Sequence, residues 1–423
     1  MPETENPPRP RRIPAIVVTL VTLGAFVASA FIVGHTETPL KAYFDKLAEA
    51  FLSGRLDLEN PPHTSDLTFH DGRWFVPFPP LPAVLLAAAL LFEKEVNVVW
   101  IGVGLAAIGI GLLFGALRRF LNALEREPGA ALSIDAHRAS LWTIVIVGFS
   151  TPLWWVAIDG NVWFFAQTCV FMFLALAAWL AVVDGGPLLV GGALALAMLG
   201  RPHVLGCWPA LAALALLRDP ARAAPRTWTT RAWAWRSLIP VAGAVITLLA
   251  YNYARFGDAL DFGYASQNVH QSLSDLKTNG QFNLRYAPRN LWTALLAPPI
   301  WRDGDTLPAF DAHGTSLLIT TPALLLLAWG HWRPRLSAGL WLSVLLTATP
   351  LALYYNTGWM QFGWRFVLDF ITPLAFLLAL GVARAPMRLP CALTLAGVFI
   401  NAYGVWWWFK WAHHLHDNAP ILH

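Results

Sequence analysis

Residues 77–95, PFPPLPAVLLAAALLFEKE, decide how this chain sits relative to a membrane. The apolar part, 78–92, is 15 residues long, opened by Pro77, Pro79, Pro80 and Pro82 and closed by Glu93-Lys94-Glu95. A spanning helix needs about 20 apolar residues to cross a hydrocarbon core about 30 Å thick. Whether this stretch crosses or returns sets the side on which every later loop emerges. Positive charge arbitrates, because Lys and Arg collect in cytoplasmic loops. Arg9, Arg11 and Arg12 place the N-terminus in the cytoplasm and residues 35–77 outside. If 78–92 does not cross, the loops with Arg118, Arg119, Arg126 and Arg138, and then Arg218, Arg222, Arg226, Arg231 and Arg236, share the cytoplasmic side. Arg333, Arg335, Arg384 and Arg388 follow them. If it crosses, all of them face outward. The sequence therefore predicts a segment that dips into lipid and returns.

Around this stretch lie long apolar runs at 14–34, 97–117, 139–157, 162–183, 187–201, 203–217, 237–256, 315–331, 336–355, 366–384 and 389–410. Of the 423 residues, 57% are hydrophobic and only 13% charged. Soluble chains carry about 25% charged residues, so most of this chain avoids water. Backbone polar groups find no partner in lipid, which makes such runs helices. The expectation is an all-α polytopic membrane protein of about eleven spans plus one re-entrant or juxtamembrane helix. Its divisions are an N-terminus of residues 1–13, polar and disordered; a transmembrane module at 14–260 with an external loop at 35–77; an external loop with an interfacial helix at 261–314; and C-terminal helices with a short tail at 315–423. The net charge of +4 is explained by orientation and calls for no nucleic acid. Cys169, Cys207 and Cys391 lie in apolar runs and predict no disulfide.

With this topology the polar residues gather on the outer face. Leu40, Phe44, Leu47 and Phe51 recur at helical spacing, an amphipathic helix on the membrane surface. Asp45 and Glu49 share its wet side one turn apart, either as a general base above the bilayer or as a solvated face. Residues 57–75 hold Asp57, His63, Asp66, His70, Asp71 and Arg73. These types suit a divalent ion, a candidate cofactor, although no ligand spacing of recognised form is present and His70-Asp71-Gly72 reads as a turn. Asp159 stands where a helix begins, as a cap or as a carboxylate reaching the same cavity. Arg201 and His203 flank Pro202 at a break between apolar runs, where an arginine either snorkels or holds a phosphate. Arg365 and Asp369 are four apart and expected to share a helix face. An ionisable pair at that depth is a functional candidate. Leu291, Trp292, Leu295 and Leu296 form a second interfacial face, with Arg285 and Arg289 at headgroup height. Most of the 22 tryptophans suit interfacial belts, and Trp74, Trp359 and Trp364 are also candidates to stack on a sugar.

The order of these pieces resembles the GT-C superfamily of polyprenyl-phosphate-sugar glycosyltransferases, within it the protein O-mannosyltransferase and lipid A aminoarabinose transferase group. Ala48-Glu49-Ala50-Phe51-Leu52-Ser53-Gly54 resembles that group's A-x-x-M-L-x-S-G stretch, and Phe78-Pro79-Pro80-Leu81 its K-P-P-L. Asp159 opening a later helix and Leu199-Gly200-Arg201-Pro202 complete the likeness, over residues 14–260. The group's adjacent acidic pair is here separated into Glu37 and Asp45, and Phe78 replaces its lysine, with Arg73 the nearest cation. The resemblance implies transfer of a sugar from a polyprenyl-phosphate donor to an extracytoplasmic lipid, glycan or protein acceptor, at the outer face of the cell membrane. It implies Asp45 as catalytic carboxylate, with Glu37 and Asp159 as alternatives. Arg73, Arg201, His203, Arg365, Asp369 and Trp359 would hold the donor or its phosphate, and membrane lipids would surround it. A transporter or flippase of a lipid-linked solute, and a non-catalytic scaffold of the same fold in envelope assembly, stay open as alternatives.

Overall fold

The computed structural model describes residues 13–126, 132–217, 229–270, 273–301, 307–330 and 334–411. Arg9, Arg11, Arg12, Arg218, Arg222, Arg226 and Arg333, used above for orientation, lie outside the described residues, as does the N-terminal stretch 1–12. Helices run in the order α1 (Ala15–Val33), α2 (Phe44–Leu52), α3 (Leu81–Leu90), α4 (Val98–Glu125), α5 (Ala136–Phe149), α6 (Leu153–Asp159), α7 (Val162–Val183) and α8 (Pro187–Met198). They continue with α9 (Trp208–Ala215), α10 (Thr230–Phe256), α11 (Asp275–Asn279), α12 (Ala287–Leu295), α13 (Leu317–Thr320), α14 (Pro334–Ala352), α15 (Ile371–Arg384) and α16 (Arg388–Trp411). One antiparallel hairpin, β1 (Thr68–His70) with β2 (Arg73–Phe75), stands in the first long loop. Its turn residues Asp71 and Gly72 both take positive φ, 47° and 76°, as a tight hairpin requires.

This is a multi-pass helical membrane protein. Among the described residues six helices have the length and apolar composition to cross: α1, α4, α7, α10, α14 and α16. The pair α5 and α6, bent by 52°, makes up to seven. The other stretches expected to span, at 187–201, 203–217, 315–331 and 366–384, are built of shorter helices and 3-10 turns. Proline is a physical reason for two of the breaks. Pro202 and Pro322 lack the N–H an α-helix needs in its interior, and each opens a 3-10 segment, Pro202–Cys207 and Pro322–Trp329. A third such segment, Arg365–Asp369, precedes α15.

The topology turns on α3. Its 10 residues reach about 15 Å, half the hydrocarbon core. The chain leaves and returns at one end of the bundle: Asn97, which caps α4, donates to Thr36 O at 2.7 Å, and Val98 N donates to the Thr38 hydroxyl at 3.1 Å. The C-terminal end of α1 and the N-terminal end of α4 are therefore neighbours. Val162 N, opening α7, bonds Lys41 O at 3.0 Å, and Leu81 N bonds Leu199 O at 3.0 Å. At the opposite end Arg118, on α4, donates to Ile13 O, and Ser133 and Ile134 bond Ala383 O on α15. Arg118, Arg119, Arg126, Arg138 and Arg384 collect there.

α4 and α7 are mostly buried at the centre, whereas α1, α10, α14 and α16 keep most of their surface outward. Lipid tails are as apolar as leucine, so helices associate through close packing of small residues. A Cβ on Gly111 of α4 would lie 1.9 Å from the Thr19 hydroxyl of α1, and one on Gly191 of α8 would lie 2.0 Å from Ser237 O of α10. Only glycine permits either approach.

Ser53, exposed after α2, and Ser133, exposed before α5, sit at opposite ends. In a background without native cysteines, Ser53→Cys is expected to react with a membrane-impermeant maleimide in intact cells. Ser133→Cys is expected to react only after the membrane is opened. Equal labelling of both in intact cells would contradict the orientation read from the arginines.

Candidate functional site

At the end where α3 returns, a cavity of about 230 Å³ opens between the long loops and the broken helices. Two arginines, Arg201 and Arg365, and the imidazole of His203 line it. Each is placed by a break in a helix. Arg201 precedes the Pro202 turn, and Arg365 begins the 3-10 segment that ends at Asp369. Asp369 is fully buried behind the cavity wall, 3.0 Å from Arg201 Nη2 and 3.0 Å from His203 Nε2. This differs from the expected pairing of Arg365 with Asp369. In a 3-10 helix each residue turns about 120°, so positions four apart diverge rather than align. Gln167 of α7 bridges them instead, accepting from Arg365 Nη1 at 2.9 Å and donating to Asp369 Oδ1 at 3.3 Å.

Arg365 is locked further by Gln361 and Gly358. Its backbone N donates to Gln361 Oε1 at 2.9 Å and its Nε donates to Gly358 O at 3.2 Å. Gln361, fully buried, donates in turn to His313 O and Thr357 O. Both guanidinium groups lie over one ring, Phe366, with Arg201 Cζ at 5.5 Å and Arg365 Cζ at 4.8 Å from its centroid. Arg201 Nε is buried with no acceptor. Arg365 meets only neutral acceptors in its own hydrogen bonds. Two permanent positive charges thus share one adjacent carboxylate. The arrangement is prepared for an anion, and planar guanidinium forks suit phosphate oxygens.

Asp66 lines the same cavity, and its backbone takes a positive φ of 62°. It is fixed by partners some 200 residues away in sequence: Asp66 N donates to Asn268 O at 2.7 Å, and Gln267 Nε2 donates to Asp66 O at 3.0 Å. Its carboxylate has no hydrogen-bond partner among the described residues. Burial pushes its pKa up to about 6, against the lowering pull of Lys41 and Arg365. Aromatic side chains fill the walls, among them Trp163, Tyr264, Tyr355 and Trp359, and Phe78, Pro79, Phe282 and Leu351 make one side apolar.

The remaining sequence candidates lie elsewhere. Asp45 is half-buried on α2, 4.0 Å from Lys46 Nζ, and lines no part of this cavity. Burial raises its carboxyl above the ordinary value. Glu37 lies outside the cavity in the same loop. Arg73 sits on the exposed hairpin, 3.9 Å from Asp57. Asp159 ends α6 rather than opening α7, because Gly160 at φ 82° terminates the helix after it. It is buried, accepts from Asn161 N and Asn161 Nδ2, and accepts from Trp408 Nε1 at 2.9 Å. Those bonds engage both of its carboxylate oxygens. Among the described residues no three His, Cys, Asp or Glu side chains gather to hold a metal ion, so the divalent ion raised by residues 57–75 finds no donor set. His70 pairs instead with Asp71 at 3.4 Å.

Fold and site together define a multi-pass membrane protein with an anion-ready, aromatic-walled cavity at one end of its bundle. No family model matches the chain, and no curated protein matches it. Among solved structures it is similar to the crystal structure of the Archaeoglobus fulgidus oligosaccharyltransferase in the apo form, at 12% identity and a TM-score of 0.45. The similarity covers 96% of this chain and 58% of that one, so the chain spans a little over half the length of that protein.

Asp369→Asn is expected to leave Arg201 and Arg365 without their carboxylate in a dry environment. Breaking one side of such a pair costs about 3–5 kcal/mol of stability, measurable as a large fall in thermal unfolding temperature in detergent. An unchanged transition would mean that water screens the pair.

Proposed function

We propose that this protein is a membrane glycosyltransferase that moves a sugar from a polyprenyl-phosphate donor to an extracytoplasmic acceptor, with Asp66 as the general base. One observation carries the reading. Two guanidinium groups, one of them with a buried Nε that finds no acceptor among the described residues, line the same aromatic-walled cavity as a carboxylate with no hydrogen-bond partner among those residues. The donor phosphate would lie against Arg201 and Arg365, with His203 beside them. The prenyl chain would leave along Phe78, Pro79, Phe282 and Leu351, and the sugar would stack on Trp359.

In the transfer step the acceptor hydroxyl oxygen attacks the anomeric carbon, and the bond from that carbon to the phosphate oxygen breaks. The bonding pair leaves on the phosphate, where the two arginines neutralise the added charge. The hydroxyl proton passes to Asp66 and from there to water. Positioned carboxylates suit this work when their pKa lies near the operating pH. With a pKa of about 6, Asp66 is mostly ionised at neutrality and still basic enough to accept a proton. Asp45, the carboxylate favoured by the sequence, is left with a packing and electrostatic role on the interfacial helix.

The pH profile follows from the sign of this shift. Asp66 acts in its ionised form, so kcat/KM is expected to hold above about pH 6 and to fall about tenfold per unit below it. With purified protein and a panel of polyprenyl-phosphate sugars, Asp66→Asn is expected to lower transfer by about 100-fold or more, while Asp45→Asn retains most of it. If Asp45→Asn abolishes transfer and Asp66→Asn does not, the base is misassigned. If no donor in the panel is cleaved, the transferase reading itself fails.

A further inference from the structure

A second cavity, about 320 Å³, lies beside the first and shares Asp66, Trp163 and Trp359 with it. These three residues line both spaces, so Asp66 borders each of them. The character of the second cavity is different. Its own polar wall carries Lys41, His63 and His270, together with Ser65 and Asn161, and among the described residues Asp66 is the one acid in its lining. Trp408 and Phe164 add ring faces to those of Trp163 and Trp359.

Lys41 follows α1 in the external loop, and its backbone carbonyl is held by Val162 N. Its ammonium makes no ion pair among the described residues, although its charge reaches both Asp66 and His63. His63 Nδ1 accepts from Ser65 N at 3.0 Å, which leaves the proton of the neutral ring on Nε2, free to donate. Burial and Lys41 lower the His63 pKa, so the neutral ring prevails at pH 7. His270 stacks on Trp359 with an interplanar angle of 17°. A cation in no ion pair among the described residues, a donor imidazole and flat aromatic faces make a wall that complements a sugar ring bearing a negative group.

Resting on the transferase reading, we infer that this second cavity is the acceptor site, and that it takes a saccharide carrying a carboxylate or phosphate, whose charge Lys41 holds while a hydroxyl meets Asp66. Entry of donor and acceptor from opposite sides of one carboxylate lets a single proton acceptor serve the reaction without either substrate passing the other. Lys41 sets specificity; it does not take part in bond breaking.

The test is binding of small probes to the full-length protein in nanodiscs, followed by saturation-transfer NMR. Glucuronate, glucose 6-phosphate and glucose serve as probes, separating carboxylate, phosphate and uncharged arms. At least one anionic sugar is expected to bind more tightly than glucose, and Lys41→Gln to weaken it roughly tenfold, the worth of one hydrogen bond to a charged group. Lys41→Arg is expected to restore the affinity, which separates charge from a folding defect. Lys46→Gln is expected to leave it unchanged, since that residue lines neither cavity. Equal binding of glucose, indifference to Lys41→Gln, failure of Lys41→Arg to restore, or loss on Lys46→Gln would each overturn the assignment. Because the readout is binding, it is independent of donor cleavage. A protein that cleaves no lipid-phosphate sugar, yet binds the anionic probe through Lys41, would sink the transferase reading and keep the site.

Discussion

One carboxylate, buried with no contact to water, organises the working end of this molecule. Asp369 ties the Arg201 turn before α9 to the 3-10 segment before α15, and through Gln167 to α7 at the centre of the bundle. In a medium of low dielectric an isolated carboxylate would be very costly, as would either arginine alone. Their mutual neutralisation is what allows three interrupted helices to meet inside a membrane. Breaks in helices are tolerated there only where the freed backbone groups are satisfied or line a cavity. Here they do both: Gly358 O accepts from Arg365, Asp369 O accepts from Cys207 Sγ at 3.6 Å, and the remaining space is the cavity.

The same electrostatic arrangement leaves the cavity unfinished. Asp369 is one negative charge serving two guanidinium groups, so the wall keeps a positive surplus toward the cavity. In the same cavity, Asp66 is held by backbone contacts that fix its position without occupying its carboxylate. The loop that carries Asp66 is pinned to residues 263–268 by Thr68 Oγ1, which donates to Gly263 O at 2.8 Å, as well as by Gln267 and Asn268. A carboxylate and two guanidinium groups, each held in place by its own contacts, thus line one cavity.

How much of this was legible beforehand differs from residue to residue. Arg201, His203, Arg365 and Trp359 were marked by their types beside helix breaks, and the structure brings all four into one cavity wall. Asp369 was also marked, but its partner was misjudged, because spacing of four implies contact only if the segment is α-helical. Asp159 looked like the first residue of a helix and proves to be the last residue of another. Gly160, one position later, was the available signal. Asp66 stood in a loop with Asp57, His63, His70 and Asp71, and nothing local set it apart. Gln167 and Gln361 gave no signal at all, since an amide inside an apolar run or a turn is ordinary until its partners are known.

Composition and run length alone determined that the chain is a helical membrane protein, because the cost of unpaired backbone in lipid leaves few other solutions. The shortness of the proline-flanked stretch near residue 80 and the placement of arginines determined that the long loops share one end. Those are additive, local properties, each readable along the chain. Only the tertiary structure decided which carboxylate meets the cavity, since Asp66 is set there by contacts 200 residues distant and Asp45 is turned away by the packing of a short surface helix. A buried charge takes its role from what neutralises it, and that partner is chosen in space rather than in sequence.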